Sequence, residues 1–260
     1  MPLMETDRGR IAYEVRGSGP PLILSSGLGG SSHSWSLVAP LLARRHTIIT
    51  YDQVGTGESE RRLAPHNVTA MADDVVALLR ALGVGPVDFV GHALGAAIGL
   101  TLTGRNLWPV ERMVLAAGFA APDAYMRHCL ELRKGILACQ GIEAFCAATP
   151  LFLFPGWWIN ANADGLQARA QAAVAAFPGR EITLARMDGL LAFDATCELA
   201  TIHQPTLVIA SANDGFTAPT TSQTLAKGLA NAVFATVPDG GHVTHELFPD
   251  QFARLVLDFT

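Results

Sequence analysis

Three residues far apart in the chain could act on one small molecule: Ala93, Asp214 and His242. Ala93 is the centre of Gly91-His92-Ala93-Leu94-Gly95, which follows the apolar run Val87 to Val90. Glycines two before and two after the centre suit a sharp turn from a strand into a helix. Such a turn lifts one side chain above a helix N-terminus, where free N–H groups favour a developing anion. A serine at that tip would be a nucleophile, with a histidine as its base and an aspartate to orient the histidine. The order nucleophile position, acid, histidine is kept here, but the tip carries only a methyl group, so no acyl-enzyme can form on it. What remains is water chemistry: His242, held in one tautomer by Asp214, could deprotonate a water in the space left by the missing hydroxyl.

The oxyanion that such a water generates needs donors. Ser25-Ser26-Gly27-Leu28-Gly29-Gly30 follows the apolar run Leu22 to Leu24, and its Leu28 N–H is one expected donor. The Leu94 N–H, immediately after the tip, is the other. Ser26 and Gly27 are expected at the substrate, and Phe152 and Trp157 are candidates for the pocket roof among aromatics that are mostly packing residues. The hydroxyls of Ser25 and Ser26 are expected to bond locally rather than attack. His92 is expected to point away from the reacting side, and His245 to lie at the surface. Without the serine, hole and binding alone are worth on the order of 10³ to 10⁴ in rate, about 4 to 5.5 kcal/mol. That is inadequate for a stable amide and sufficient for a substrate that already hydrolyses unaided.

Strands alternating with helices must position these residues. Ile11 to Val15, Leu22 to Leu24, Thr47 to Tyr51, Val87 to Val90, Arg112 to Ala117, Thr206 to Ile209 and Ala232 to Val237 read as strands. Trp35 to Ala43, the Met71–Leu82 stripe, Leu94 to Thr103, Thr221 to Leu229 and Phe248 to Phe259 read as helices. This is an α/β pattern, with a mostly parallel central sheet flanked by helices. The rhythm breaks over 122–200, which reads as an inserted helical cap. The core is then 1–121 together with 201–260.

Half of the 260 residues are hydrophobic and 16% are charged, enough to bury a large core. The net charge of −5 comes with no basic stripe, so nucleic acid and anionic membranes are not expected partners. No signal peptide is visible at the N-terminus and no run is long enough to span a bilayer, so the cytoplasm is the expected location. Cys129, Cys139, Cys146 and Cys197 read as buried free thiols. Asn67-Val68-Thr69 matches a glycosylation sequon by chance. No spacing suggests a metal site and no Gly-rich motif a dinucleotide, so no cofactor is expected. A small-molecule substrate is the expected partner, with a homodimer open as an assembly.

On these stretches the chain resembles the α/β-hydrolase family. The resemblance is closest to the RutD-type hydrolases of pyrimidine-nitrogen utilisation, with the 3-oxoadipate enol-lactonases as wider kin. It is carried by Ser26 to Gly30, Tyr51-Asp52-Gln53, Gly55-Thr56-Gly57, the elbow Gly91 to Gly95, and Pro150-Leu151-Phe152-Leu153-Phe154-Pro155. RutD-type proteins also carry alanine in the elbow, which implies that Ala93 is natural. The resemblance further implies hydrolysis of aminoacrylate or carbamate, products of uracil breakdown that also decay unaided. Two positions depart from the family pattern. Val54 stands where relatives often have arginine, and Asp214 to Pro219 is one residue longer than usual, which brings in Asp123 as a substitute acid. Two other functions stay open: a serine esterase or enol-lactonase changed to alanine at position 93, and a non-catalytic ligand-binding homologue.

Overall fold

The computed structural model describes residues 1–63 and 65–260. Eight strands form one sheet: β1 (Leu3–Thr6), β2 (Gly9–Arg16), β3 (Pro21–Ser25), β4 (Thr47–Tyr51), β5 (Val87–His92), β6 (Val110–Ala116), β7 (Thr206–Ser211) and β8 (Ala232–Val237). Their order across the sheet is β1-β2-β4-β3-β5-β6-β7-β8. β1 and β2 pair antiparallel, as do β2 and β4, and every pair from β4 through β8 is parallel. The helices are α1 (Ala39–Leu42), α2 (Val68–Ala81), α3 (Leu94–Gly104), α4 (Ala124–Cys139), α5 (Gly141–Ala148), α6 (Pro150–Leu153), α7 (Gly156–Ala161), α8 (Leu166–Ala175), α9 (Arg180–Leu191), α10 (Pro219–Gly228), α11 (Thr244–Leu247) and α12 (Pro249–Phe259).

The sheet separates two apolar cores because side chains alternate along a strand. Ile23, Phe89, Met113, Leu115 and Val208 face a core shared with α2 and α3. Their neighbours Leu22, Leu24, Val90, Val114, Leu207 and Ile209 face the other, packed against Trp35, α1 and α12. Burial on both faces is why these strands are continuous apolar runs. In α12, Phe252 and Val256 sit four residues apart and are fully buried, which fixes the helix on the sheet.

Two elements differ from the sequence expectation. β1 is an edge strand with no buried residue, so the hydrophobic pattern carries no sign of it. The helix expected over 35–43 is instead a 3-10 turn, Ser32–Trp35, followed by the single-turn α1. Pro40 lacks an N–H and fits only a first helical turn, so it starts a helix there rather than continuing one. Asn67 of the sequon is the N-cap of α2 and accepts from the Ala70 amide at 2.8 Å. Between β6 and β7 the chain forms the six helices α4 to α9.

β3 is flanked by β4 on one side and β5 on the other, so the winding direction reverses there. Ligands in open α/β sheets bind beyond the carboxyl ends of strands at such a reversal. Register places Ser25 beside Gly91, and Ser211 beside Val237, along that end of the sheet.

Candidate active site

The turn after β5 is held by close approach of backbone to backbone. A Cβ on Gly95 would lie 2.0 Å from the carbonyl oxygen of Ser25, and one on Gly91 would lie 2.5 Å from the carbonyl carbon of Gly95. No other residue type fits either position. Ala93, between them, has φ 50° and ψ −108°, a conformation that L-residues rarely adopt. Its N–H donates to the carbonyl oxygen of Ala116 at 2.9 Å, which ties the strained tip to β6.

His242 follows β8 on Gly240-Gly241, both with positive φ. Its Nδ1 is 2.9 Å from Oδ2 and 3.1 Å from Oδ1 of Asp214, in a pair almost sealed from solvent. Nδ1 therefore carries the hydrogen and donates, which leaves the lone pair on Nε2. Nε2 has no hydrogen-bond partner among the described residues, so it is the nitrogen able to take a proton. The longer loop after Asp214 is absorbed locally. Oδ1 of Asp214 accepts from the amides of Phe216 (2.8 Å) and Thr217 (2.9 Å), folding the extra residue into a turn. Asp123 stands elsewhere: it caps α4 through the Met126 amide and accepts from Thr221 Oγ1.

The loop after β3 lies against the turn. A Cβ on Gly27 would be 3.6 Å from Ala93 Cβ and 3.0 Å from Nδ1 of His92. Leu28 and Leu94 donate no hydrogen bond from their amides to any described residue, so both N–H groups are unspent. Two partners fix the loop from behind. Gln53 Nε2 donates to the Ser26 carbonyl oxygen at 2.7 Å, and Arg186 Nε, from α9, donates to the Leu28 carbonyl oxygen at 3.0 Å. Arg186 also bonds Gln53 Oε1, so an inserted helix and the core share one network around the expected oxyanion donor. Ser25 Oγ is bonded to Tyr51 Oη at 2.8 Å, a distant partner rather than a local one. Ser26 Oγ is buried with no partner among the described residues, contrary to the expected local bond.

The histidines are arranged differently from expectation. His245 is 1% exposed rather than superficial, because α11 turns it inward onto Trp35 and Phe252. His92 points into the same cluster and lies against His242, with ring centroids 4.7 Å apart. Its Nε2 donates to the His242 carbonyl oxygen at 2.8 Å, so it braces the backbone of the candidate base. Burial first, and then the neighbouring His242, pushes His92 down to about 3. Burial likewise drives His245 well below the usual imidazole range. Both are neutral at physiological pH.

The segment Pro150 to Pro155 presses on the His242 loop. A Cβ on Gly241 would lie 2.6 Å from the Leu153 carbonyl oxygen and 2.9 Å from Pro155 Cδ. Phe152 is brought near the acid loop, its carbonyl oxygen 3.9 Å from the Gly215 Cβ position. Trp157 is not enclosed with it. It is 48% exposed. Cys139 and Cys197 are exposed, a correction to the expected burial, whereas Cys129 and Cys146 are buried, and all four are free thiols. Among the described residues, no group of three or more His, Cys, Asp or Glu side chains is placed to hold a metal ion, and no helix is long and apolar enough to cross a membrane.

Comparison with known proteins fits this arrangement. A family model for the alpha/beta hydrolase fold matches residues 20–135. The chain is 38% identical over 259 residues to "Putative carbamate hydrolase RutD" of Azorhizobium caulinodans, covering 100% of this chain and 98% of that protein. It belongs to the α/β-hydrolase family. A relative of the same name from Caulobacter vibrioides is 40% identical over 95% of this chain and 94% of its own. The solved enol-lactonase from Burkholderia xenovorans superposes with a TM-score of 0.88 at 23% identity, covering 99% of both chains, a likeness of fold. This α/β-hydrolase is a hydrolytic enzyme, and the two relatives cover 95% or more of it.

Motif and chain order point to Ala93, Asp214 and His242, of which the fold pairs Asp214 with His242. Arg186 and the bracing role of His92 have no counterpart among those motifs. Arg186 follows Ile182 and Thr183 at three- and four-residue spacing, and both of those are buried. That spacing was the only local sign that the arginine faces inward.

Proposed function

We propose that this hydrolase accelerates the breakdown of a small, spontaneously labile acid from uracil catabolism, aminoacrylate or carbamate, without a serine nucleophile. His242 Nε2 takes a proton from a water beside the Ala93 methyl group, and Asp214 stabilises the imidazolium that forms. In carbamate the hydroxide adds to the carboxylate carbon, and the Leu28 and Leu94 N–H groups receive the charge on its oxygens. Aminoacrylate first tautomerises to 2-iminopropionate, whose C=N carbon is then attacked to leave ammonia and pyruvate. The proton returns from His242 to the departing nitrogen, the C–N bond breaks and ammonia leaves. The observation that carries this reading is the buried Asp214–His242 pair, with a free Nε2, next to a strained turn that bears a methyl group. The names of two relatives say carbamate hydrolase, and aminoacrylate follows from the family resemblance alone. Four free thiols, two of them exposed, suit a cytoplasmic location.

The test compares decay of aminoacrylate and carbamate with wild type and His242→Ala. Wild type should accelerate one of them over buffer, and the variant should lose on the order of 10² to 10⁴ of that acceleration. Equal decay with both proteins would overturn the water mechanism. Ala93→Ser, assayed on activated esters, should show a burst of product if base and hole are poised.

A further inference from the structure

Two buried arginines, Arg133 and Arg186, have no carboxylate partner among the described residues. Arg186 is held by neutral acceptors, the Leu28 carbonyl oxygen and Gln53 Oε1, whereas Arg133 has no comparable partners. Arg133, on α4, is 6% exposed. Tyr125, Cys129 and Arg133 follow one another at four-residue spacing and share a face of α4. That face lies on the acid loop, where Tyr125 Oη donates to the Gly215 carbonyl oxygen at 2.8 Å. Further along, the Arg133 guanidinium carbon stands 4.9 Å from the ring centroid of Phe145, 5.4 Å from that of Phe152 and 5.6 Å from that of Phe216. The Phe216 ring in turn lies 5.0 Å from the ring of His242. One aromatic side chain therefore bridges the cation and the candidate base.

No carboxylate pairs with Arg133 among the described residues. Among the described residues Nε has no partner, and Nη2 reaches only Thr149 Oγ1, at a long 3.4 Å. Aromatic faces attract a cation, but they return less than its removal from water costs, and they use none of its five N–H groups directionally. Burial lowers the guanidinium to about 10, which still leaves it charged at neutral pH. A charge in that state is stabilised by an anion that arrives with the ligand.

We propose that Arg133 is the carboxylate-recognition group of this enzyme. The anionic end of the substrate sits against its guanidinium, inside the enclosure of Phe145, Phe152 and Phe216. The reacting carbon, which is the carboxylate carbon of carbamate or its immediate neighbour in aminoacrylate, then lies between the guanidinium and His242, beside Phe216. The aromatic walls admit a small acid and exclude a bulky one. This inference rests on the hydrolase reading for its substrate, but it concerns binding and can be tested without turnover.

The experiment is isothermal titration with propionate and its neutral isostere propionamide, on wild type, Arg133→Gln and Arg133→Lys at fixed ionic strength. Wild type should prefer propionate by roughly tenfold or more. Arg133→Gln should lose that preference with propionamide binding unchanged, and Arg133→Lys should keep part of it. A structural arginine would not alter selectivity between charged and neutral ligands. If Arg133→Gln fails to fold, the wild-type rise in Tm with propionate but not with propionamide carries the test. Wild type indifferent to ligand charge, or Arg133→Gln with the preference intact, overturns the proposal. Carboxylate preference without any hydrolysis would retain this site and remove the catalytic reading. Hydrolysis with unchanged kcat/KM in Arg133→Gln would do the reverse.

Discussion

Lowering the pH from 7 to 4 should load a proton onto the His92 position of the unfolded chain long before the folded one accepts it. The folded imidazole, buried against His242, protonates only near 3, whereas an unfolded histidine protonates near 6.5. Between those limits the unfolded state binds one more proton, so stability falls by about 1.4 kcal/mol per pH unit. From pH 7 to 4 this amounts to about 3 kcal/mol, a large part of what holds a domain folded. The sign follows from the depressed folded value: the contribution is intact above 6.5 and is lost as the pH falls toward 3. Other groups titrate too. Burial lowers His46, His66 and His245 in the same sense, while burial raises Asp74 and Glu246 and opposes them. His92→Gln isolates the one group, since its amide can still donate to the His242 carbonyl oxygen. Urea unfolding followed by tryptophan fluorescence should show the stability gap, wild type minus variant, decreasing by about 3 kcal/mol between pH 7 and pH 4. A gap that stays constant would refute the reasoning, because it would mean that His92 is not held neutral by burial.

Asp214→Asn should lower kcat by no more than His242→Ala does, on the order of 10² to 10⁴, while the fold persists, because the amide no longer selects the required tautomer; activity within tenfold of wild type would remove Asp214 from its orienting role. Gly95→Ala should cost about 3 kcal/mol in chemical denaturation, since its Cβ would overlap the Ser25 carbonyl. Arg186→Met should cost about 2 to 3 kcal/mol by releasing the Leu28 carbonyl and Gln53, with Tm falling by about 2 to 4 °C per kcal/mol. An unchanged Tm in that variant would show that the link between α9 and the loop after β3 is idle.

The parallel core was legible because its strands are buried on both faces and its helices carry single apolar stripes. β4 and β8 match their expected spans residue for residue. The turn around Ala93 was legible because only glycine fits positions 91 and 95. Other features left no local trace. β1 has no buried residue to mark it. His245 is buried by α11, a single turn too short for any periodicity to register. Arg133 and Arg186 are charged residues within helices, where solvent is the ordinary expectation, and their burial depends on elements far away in sequence. Trp157 and Phe152 stand five apart, yet one is outside and the other inside, because the helical run breaks at Phe154 and Pro155 between them.

The sharp bend beneath Ala93 is enforced by the two glycines and by the bond to Ala116, none of which involves the side chain at the apex. The apex is thus a socket whose shape is independent of what occupies it. Lineages built on this scaffold can exchange a hydroxyl for a methyl there, or restore it, without relearning how to fold, so the reactive group can change while the architecture stays constant.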